Sequence, residues 1–407
     1  MTRRLQFALW HTAARVAANF RGPAVRLAPL APLPPGTPRG VTVVIPSRNG
    51  RELLAAQLPG ILAAQNGPFE IVVVDNGSDD GTPGWLAAEY PAVVVDLSPE
   101  PLSFATAVNR GIARGSFSHV CLLNNDMLLD PQFFPALFDA FDAVPHLFCA
   151  TAQIFFPAGV RREETGKAVM AHSHPDDFPL RCDEPLPGED LTWVLYGSGG
   201  CSLYDAALLR TLGGFDEAYA PAYVEDLDLG YRAWQRGWPT VFAARALVEH
   251  RHRATTSRYY SEQQLAEILE INYLRFLARA VAYPPLFHTL WREAIDRLRR
   301  RRNPVLQNAA AIARSARPAL APSYAEEEFL ALTCGDVAVF PGGNRSGAAK
   351  IDYVDRLETP SLRDLAAHRE VILVRAGNRR AMEAAVRWSR DKGADRNSMR
   401  SPACPEN

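Results

Sequence analysis

Four short apolar runs constrain this chain more than anything else in it: VTVVIP (41–46), IVVVD (71–75), AVVVD (92–96) and VCLL (120–123). Each is continuous rather than alternating, and each is followed by Asn, Asp, Gly or Ser. A strand that is apolar on both sides must be covered on both sides, the condition of a mostly parallel sheet flanked by helices. RELLAAQLPGILAAQ (51–65) supplies one such helix, with its leucines and Ile61 at helical spacing despite Pro59. Strand–helix–strand alternation of this kind indicates an α/β domain. Ligands of such sheets bind beyond the carboxyl ends of the strands. The polar residues closing each run are therefore the first candidates: Pro46-Ser47-Arg48-Asn49, Asp75-Asn76-Gly77-Ser78 and Asn124-Asn125-Asp126.

Composition narrows the function classes. With 407 residues the chain has room for two or three domains, or for one large domain with extensions. Its 44 basic and 45 acidic side chains leave a net charge of −1, which argues against a whole-molecule nucleic-acid binder. No apolar run approaches the ~20 residues of a spanning helix. His11, Arg15 and Asn19 interrupt what would be the core of a signal peptide. The six cysteines are scattered without a C-x-x-C pair and read as free thiols. The near-zero charge is a cancellation. Residues 1–40 carry Arg3, Arg4, Arg15, Arg21, Arg26 and Arg39 with no acid, and residues 291–303 carry six Arg against Glu293 and Asp296. The remainder is net acidic.

The chain divides, on this reading, into a basic N-terminal segment and Pro-rich linker (1–40), a catalytic domain (41–255), a helical extension (256–303) and a C-terminal region without assigned function (304–407). Residues 28–40 form a stiff linker, residues 157–190 an irregular insertion, and TVFAARALVEH (240–250) a strand. Residues 261–283 form an amphipathic helix with Leu265, Ile268, Leu269, Asn272, Phe276 and Leu277 on one side. This helix covers an edge of the catalytic domain or mediates a homodimer. Strands are expected at 336–340 and 370–376 with LRDLAAH (362–368) between them, and disorder over about the last 20 residues.

Three features carry chemistry. Asp75, at a strand end, can accept hydrogen bonds from a pyrimidine N–H or from ribose hydroxyls; the alternative is that Asp75 or Ser78 caps the next helix. Asn124-Asn125-Asp126 follows a buried strand, where an acid suits magnesium or manganese, although an isolated N-N-D also makes an ordinary turn. YVEDLDLGYRAWQRGW (223–238) puts Glu225, Asp226 and Asp228 at a helix start. The helix dipole favours acids there, so at least one is structural, while a repelled or buried member has a raised pKa suited to taking a proton. His250 ends the following strand; as a lone His it counts as a ligand only if other ligands converge on it.

VTVVIPSRNGRELL, IVVVDNGSDDGT, FATAVNRGIARG, LLNNDMLLDP, GGFDEAY, EDLDLGYRAWQRGW and VEH, in that order, resemble the inverting glycosyltransferases of family 2, with the GT-A fold, in their rhamnosyltransferase-like bacterial branch. The resemblance covers residues 41 to about 255. It implies that Pro46, Ser47, Arg48 and Asn49 wall the nucleotide pocket and that Asp75, with Asn76 beside it, holds the donor's base. Asn109 and Arg110 match the segment beneath the nucleotide. Asn124 stands where the family has the first acid of D-x-D; a ribose or supporting role is implied for Asn124 and Asn125, with Asp126 as the metal carboxylate. Asp226 matches the general base, Glu225 its neighbour in the acceptor pocket, and His250 a second metal ligand found in some members. Arg251, His252 and Arg253 could reach the pyrophosphate.

The reaction so implied moves a sugar from a UDP- or dTDP-sugar to a hydroxyl of a glycan or lipid-linked acceptor, in cell-surface polysaccharide synthesis, with a divalent cation as cofactor. The cytoplasm is the expected location, with the inner face of the cell membrane as the place where such acceptors are met. The Arg-rich flanks suggest peripheral contact with anionic membrane; a charged helix packed on its own domain is the alternative. A Rossmann dehydrogenase would need G-x-G-x-x-G after the first strand, and a nucleotidyltransferase a Gly-rich basic loop, whereas this chain has PSRNGRE. A catalytically inactive nucleotide-sugar-binding or scaffold relative remains as an alternative, against which stands the retention of Asp126 and Asp226.

Overall fold

The computed structural model describes residues 2–64, 67–144, 146–157, 166–170, 176–183, 185, 189–251, 258–319, 322–335, 337–340, 350–354, 371–375, 382–383 and 385–386. Helix α1 (Arg3–Ala17) and the short strand β1 (Ala24–Val25) lead into the sheet. There follow β2 (Val41–Ser47), α2 (Arg51–Ala64), β3 (Phe69–Asn76), α3 (Thr82–Glu89), β4 (Val94–Ser98), α4 (Phe104–Arg114) and β5 (His119–Leu123). Next come β6 (Met127–Leu129), α5 (Phe133–Ala143), β7 (Cys149–Phe155), β8 (Lys167–Val169), β9 (Arg181–Asp183), β10 (Thr192–Val194) and β11 (Cys201–Asp205). Helices α6 (Ala206–Thr211) and α7 (Glu225–Gln235) precede β12 (Thr240–His250). The rest comprises α8 (Glu262–Arg279), α9 (Pro284–Arg300), α10 (Leu306–Ala313), β13 (Arg317–Pro318), α11 (Glu326–Leu332), β14 (Val337–Phe340), β15 (Lys350–Val354) and β16 (Val371–Arg375).

The central sheet has the order β10-β12-β7-β11-β5-β2-β3-β4, with β6 attached to β12. Strands β5, β2, β3 and β4 are parallel neighbours, as the apolar runs imply. Strand β11 enters antiparallel between β5 and β7, and β7 pairs parallel with β12, so the whole sheet is mixed. The chain builds outward from β2 to β4 and then returns to lay β5 on the other side of β2. A crevice therefore opens at the carboxyl ends of β2 and β5, where the direction of winding reverses.

Burial accounts for the continuous apolar strands. Val43, Ile45 and Val73 pack with Leu54, Leu58 and Ile61 of α2, whereas Val44, Val72 and Val74 pack with Val108 and Ile112 of α4. Alternate residues thus meet opposite helical layers. Close approach of α4 depends on Gly111, because a Cβ there would lie 2.2 Å from Val44 Cγ1.

The flanks are bound to this core. Residues 26–40 contain no strand or helix, in keeping with a Pro-rich linker, but they lie along the domain: Leu30 N–H donates to Arg210 O at 3.0 Å, and Arg210 Nη1 donates to Ala31 O at 2.7 Å. Helix α1 packs on α9 and α10; Trp291 Nε1 donates to Ala14 O at 3.1 Å. The helix read over 261–283 is α8 alone to Arg279, because Tyr283 is extended before Pro284, which opens α9. Leu269, read on one side with Leu265, Asn272 and Phe276, is 36% exposed whereas those three are buried. The third strand starts at Val94 rather than Ala92, since Pro91 and Ala92 form a turn. Within the insertion β8 and β9 pair antiparallel. Strands β14 and β16 occupy the two late strand positions, and β15 pairs parallel with β16. LRDLAAH (362–368) and the last 20 residues lie outside the described residues. No described helix is long and apolar enough to cross a membrane.

Candidate active site

Strand β2 ends on Ser47, whose register partner on β3 is Asp75. Ser47 Oγ accepts a 2.9 Å hydrogen bond from Asn125 Nδ2, joining the ends of β2 and β5. Gly50 makes room for that contact: a Cβ there would lie 2.4 Å from both Asn125 Nδ2 and Ser47 Oγ. Asn49, at φ 49°, stitches this turn to the next one; its N–H donates to Ser78 Oγ at 2.9 Å and its Oδ1 accepts from Asp79 N–H at 2.8 Å. Asp75 is 2% exposed. Its Oδ1 accepts from Ser78 N–H at 3.2 Å, while Oδ2 is buried without a hydrogen bond. An oxygen in that state calls for a donor, from water or from a ligand. Neither Asp75 nor Ser78 caps α3, whose N-cap is Gly81. Arg48 lies over the Tyr259 ring at 4.1 Å, and Arg258 Nη1 donates to Asn49 O at 2.8 Å, so the segment after β12 returns over this turn. Pro46 is half-buried beside Val74.

Beyond β5, Asn124 N–H donates to Gly200 O at 2.9 Å, and Asn124 O accepts from Gln57 Nε2 at 2.5 Å. Asp126 is buried; its Oδ1 makes no hydrogen bond and lies 3.4 Å from His250 Nε2. His250 arrives there because β6 pairs antiparallel with β12, setting His250 opposite Met127. Arg251 N–H fixes the same turn through Asp126 O at 2.9 Å. A carboxylate oxygen and an imidazole nitrogen this close fit two positions in the shell of one divalent cation. No group of three or more His, Cys, Asp or Glu gathers among the described residues, so diphosphate and water oxygens would complete the shell.

The acidic helix start is held from outside the sheet. Asn272 of α8, wholly buried, sets its Nδ2 at 2.7, 2.8 and 3.0 Å from the carbonyls of Tyr219, Ala222 and Tyr223. Tyr223 and Val224 adopt φ 75° and 77°. That left-handed region is costly for a β-branched residue and persists only where the surroundings impose it. The kink delivers Glu225 and Asp226 into the first turn of α7. Asp226 Oδ1 accepts from Leu227 N–H at 2.8 Å and Oδ2 from Gly199 N–H at 3.2 Å. Glu225 is 5% exposed with Oε2 unbonded. Burial, then the charge of Asp226, push its carboxyl well above the usual range. Asp228 is the structural member of the trio: fully buried, it accepts from Arg232 Nε at 2.6 Å and Tyr219 OH at 3.0 Å.

The GSGG turn joins the two acidic stations. Gly199 N–H bonds Asp226, Gly200 O receives Asn124 N–H, and a Cβ on Gly200 would lie 2.6 Å from Asn124 Nδ2. Three expected site residues are occupied elsewhere. Asn76 brackets the backbone of Leu102, Asn109 that of Phe215, and Arg110 binds Asp96 at 2.7 Å. Burial opposes the charge of Asp96, but Arg110 and Arg114 outweigh it and hold that carboxyl below its usual range. Gln57 and Asn272 were not read from sequence as site residues. Their one signal is a polar residue inside an apolar helical stripe. His252 and Arg253 lie outside the described residues.

A sequence profile described as glycosyltransferase like family 2 matches residues 38–268. The N-acetylglucosaminyl-diphospho-decaprenol L-rhamnosyltransferase of Mycobacterium tuberculosis is 29% identical over 226 residues, 49% of this chain and 72% of that protein. The validoxylamine A glucosyltransferase of Streptomyces hygroscopicus subsp. limoneus is 26% identical over 242 residues, 52% of each. Among solved structures, GalNAc-T7 with UDP, GalNAc and Mn2+ aligns at a TM-score of 0.48 and 15% identity, over 62% of this chain and 50% of that one. With the profile spanning more than half of its length and a crevice at the reversal of its sheet, the chain belongs to glycosyltransferase family 2 and has the GT-A fold.

Proposed function

We propose that this protein is an inverting glycosyltransferase that transfers a sugar from a UDP- or dTDP-sugar to a hydroxyl of a glycan or lipid-linked acceptor in cell-surface polysaccharide synthesis. One observation carries the reading: the GSGG turn is bonded on one side to the Asp126 loop and on the other to Asp226. Two carboxylates with different surroundings therefore border one cleft, as a displacement at an anomeric carbon needs. A divalent cation held by Asp126 and His250 would supply charge stabilisation for the leaving diphosphate.

The chain's own residues supply the rest. Asp75 Oδ2, buried and unbonded, accepts from the donor's base. The stitched turns of Asn49 and Ser78 border that end and shape the nucleotide's entry. Asp226, its carboxylate oriented by two backbone N–H groups, takes the proton of the acceptor hydroxyl. Glu225, whose charged form is disfavoured by burial and by the charge of Asp226, stands beside the base on the acceptor side. A single displacement with one base on the acceptor side inverts the anomeric configuration.

Asp226→Asn preserves shape and removes the base. Transfer and donor hydrolysis should fall roughly 10²–10⁴-fold while donor binding, measured by titration calorimetry, is retained. Equal turnover by the two proteins would exclude Asp226. A panel of UDP-, dTDP- and GDP-sugars, each with and without magnesium or manganese, identifies the donor.

A further inference from the structure

Helix α1 is apolar on two opposite sides. Phe7, His11, Ala14 and Ala17 are buried against the rest of the protein. Leu5, Leu9 and Val16, spaced by four and seven residues, share the other side and are 52, 52 and 54% exposed. Phe20, just beyond the helix, is 67% exposed. Arginines lie about a third of a turn round the helix from this stripe, toward α9. Arg3, Arg4, Arg299 and Arg302 converge on a groove of about 280 Å³ between α1 and the end of α9, with Phe7 as its remaining wall. A second groove of about 310 Å³ has Arg15, Asn19, His288 and Arg292 on its lining. Four arginines around one open groove present concentrated positive charge to solvent, and their planar forks suit phosphate.

We propose that the α1–α9 face is a docking surface for an anionic lipid bilayer, with Leu5, Leu9, Val16 and Phe20 in the acyl boundary and the two arginine grooves on phosphodiester headgroups. The combination selects this occupant: apolar side chains directed away from the fold beside exposed cations are what an interfacial helix presents. A nucleic acid would use the arginines and leave the aliphatic stripe wet. The inference does not rest on the catalytic reading.

The test is flotation of the full-length protein with vesicles of phosphatidylglycerol and phosphatidylcholine, against phosphatidylcholine alone, at low and high salt. Binding should require the anionic lipid and weaken with salt. The double variants Leu9→Gln/Val16→Gln and Arg15→Gln/Arg292→Gln alter exposed positions only. Each should lose about tenfold in partitioning with an unchanged melting temperature. Absence of binding to anionic vesicles at low salt would overturn the proposal, as would full binding by both variants. So would binding to a single-stranded RNA homopolymer without binding to vesicles. If the Leu9/Val16 variant loses a dimer and keeps its lipid binding, the stripe is a subunit interface instead.

Discussion

His119 opens β5 with its ring edge-on to Phe138 and Phe141, at centroid distances of 5.1 and 4.6 Å. Burial first, and the charge of Arg39 second, lower its pKa from 6.5 to about 4. Between those values the unfolded chain binds a proton that the folded chain does not. Stability from this residue is therefore complete above about pH 6.5 and declines as the pH falls toward 4, by about 1.4 kcal/mol per unit. Urea unfolding at pH 7 and pH 5 should show that loss, and His119→Phe should flatten the difference; equal slopes in both proteins would refute it. Legible in sequence was the placement of Asp75, Asp126, Glu225 and Asp226 at strand or helix ends, because position on an element follows from local pattern. The pairing of Arg110 was not legible, because its partner, Asp96, lies on a neighbouring element. A guanidinium's commitment is a tertiary fact, and nothing in FATAVNRGIARG announces it.

Helix α8 shows what one element contributes to another's chemistry. Its polar residues Asn272, Arg275 and Arg279 face the 216–224 loop: Arg275 Nη1 donates to Ala220 O at 3.2 Å, and Arg279 Nε to Asp216 at 3.0 Å. The profile match ends at residue 268, before all three. Asn272→Ala leaves three carbonyls without their donor and frees the left-handed pair Tyr223–Val224 to relax. The stability cost should be about 1–3 kcal/mol. The sharper expectation is kinetic: kcat falls at least roughly tenfold while KM for the donor stays near its original value, because the base moves and the nucleotide pocket does not. A rise in donor KM with unchanged kcat would separate α8 from the base loop. Elements marked by a continuous apolar run, β2 to β5, or by helical spacing, α2, were legible for that reason. The antiparallel entry of β11 was not, since strand direction depends on what lies between strands rather than on the strand itself. Periodicity also treats Gln57 and Asn272 as noise in an apolar stripe, although their amides shape the Asp126 turn and the α7 entry.

At the scale of the molecule, the N-terminal helix meets the helices that follow the catalytic sheet. Helix α1 packs on α9 and α10, α8 packs on both of those, and α8 holds the loop that starts α7. Arg21, just after α1, donates to Ala278 O at 2.8 Å and Val281 O at 2.6 Å at the end of α8, with its guanidinium 4.1 Å over Phe287. On the same helix Arg297 of α9 makes a two-pronged buried pair with Glu270, at 2.7 and 2.8 Å. The arginine excess of residues 1–40 and 291–303, which sequence reads as charge, is thus partly structural: Arg21 and Arg297 are bonded within the fold while Arg3, Arg4, Arg15 and Arg292 are exposed. A shortened protein lacking residues 2–20 loses the buried Phe7 and Ala14 contacts and exposes Trp291. Its stability should drop by at least about 3 kcal/mol, the scale of losing one large buried side chain. Because α1 reaches the base loop through α10 and α8, unfolding should remain a single transition at lower temperature, with transfer activity lost along that same transition. Calorimetry that resolves two transitions, with activity following only the later one, would show that the terminal helices fold apart from the catalytic sheet.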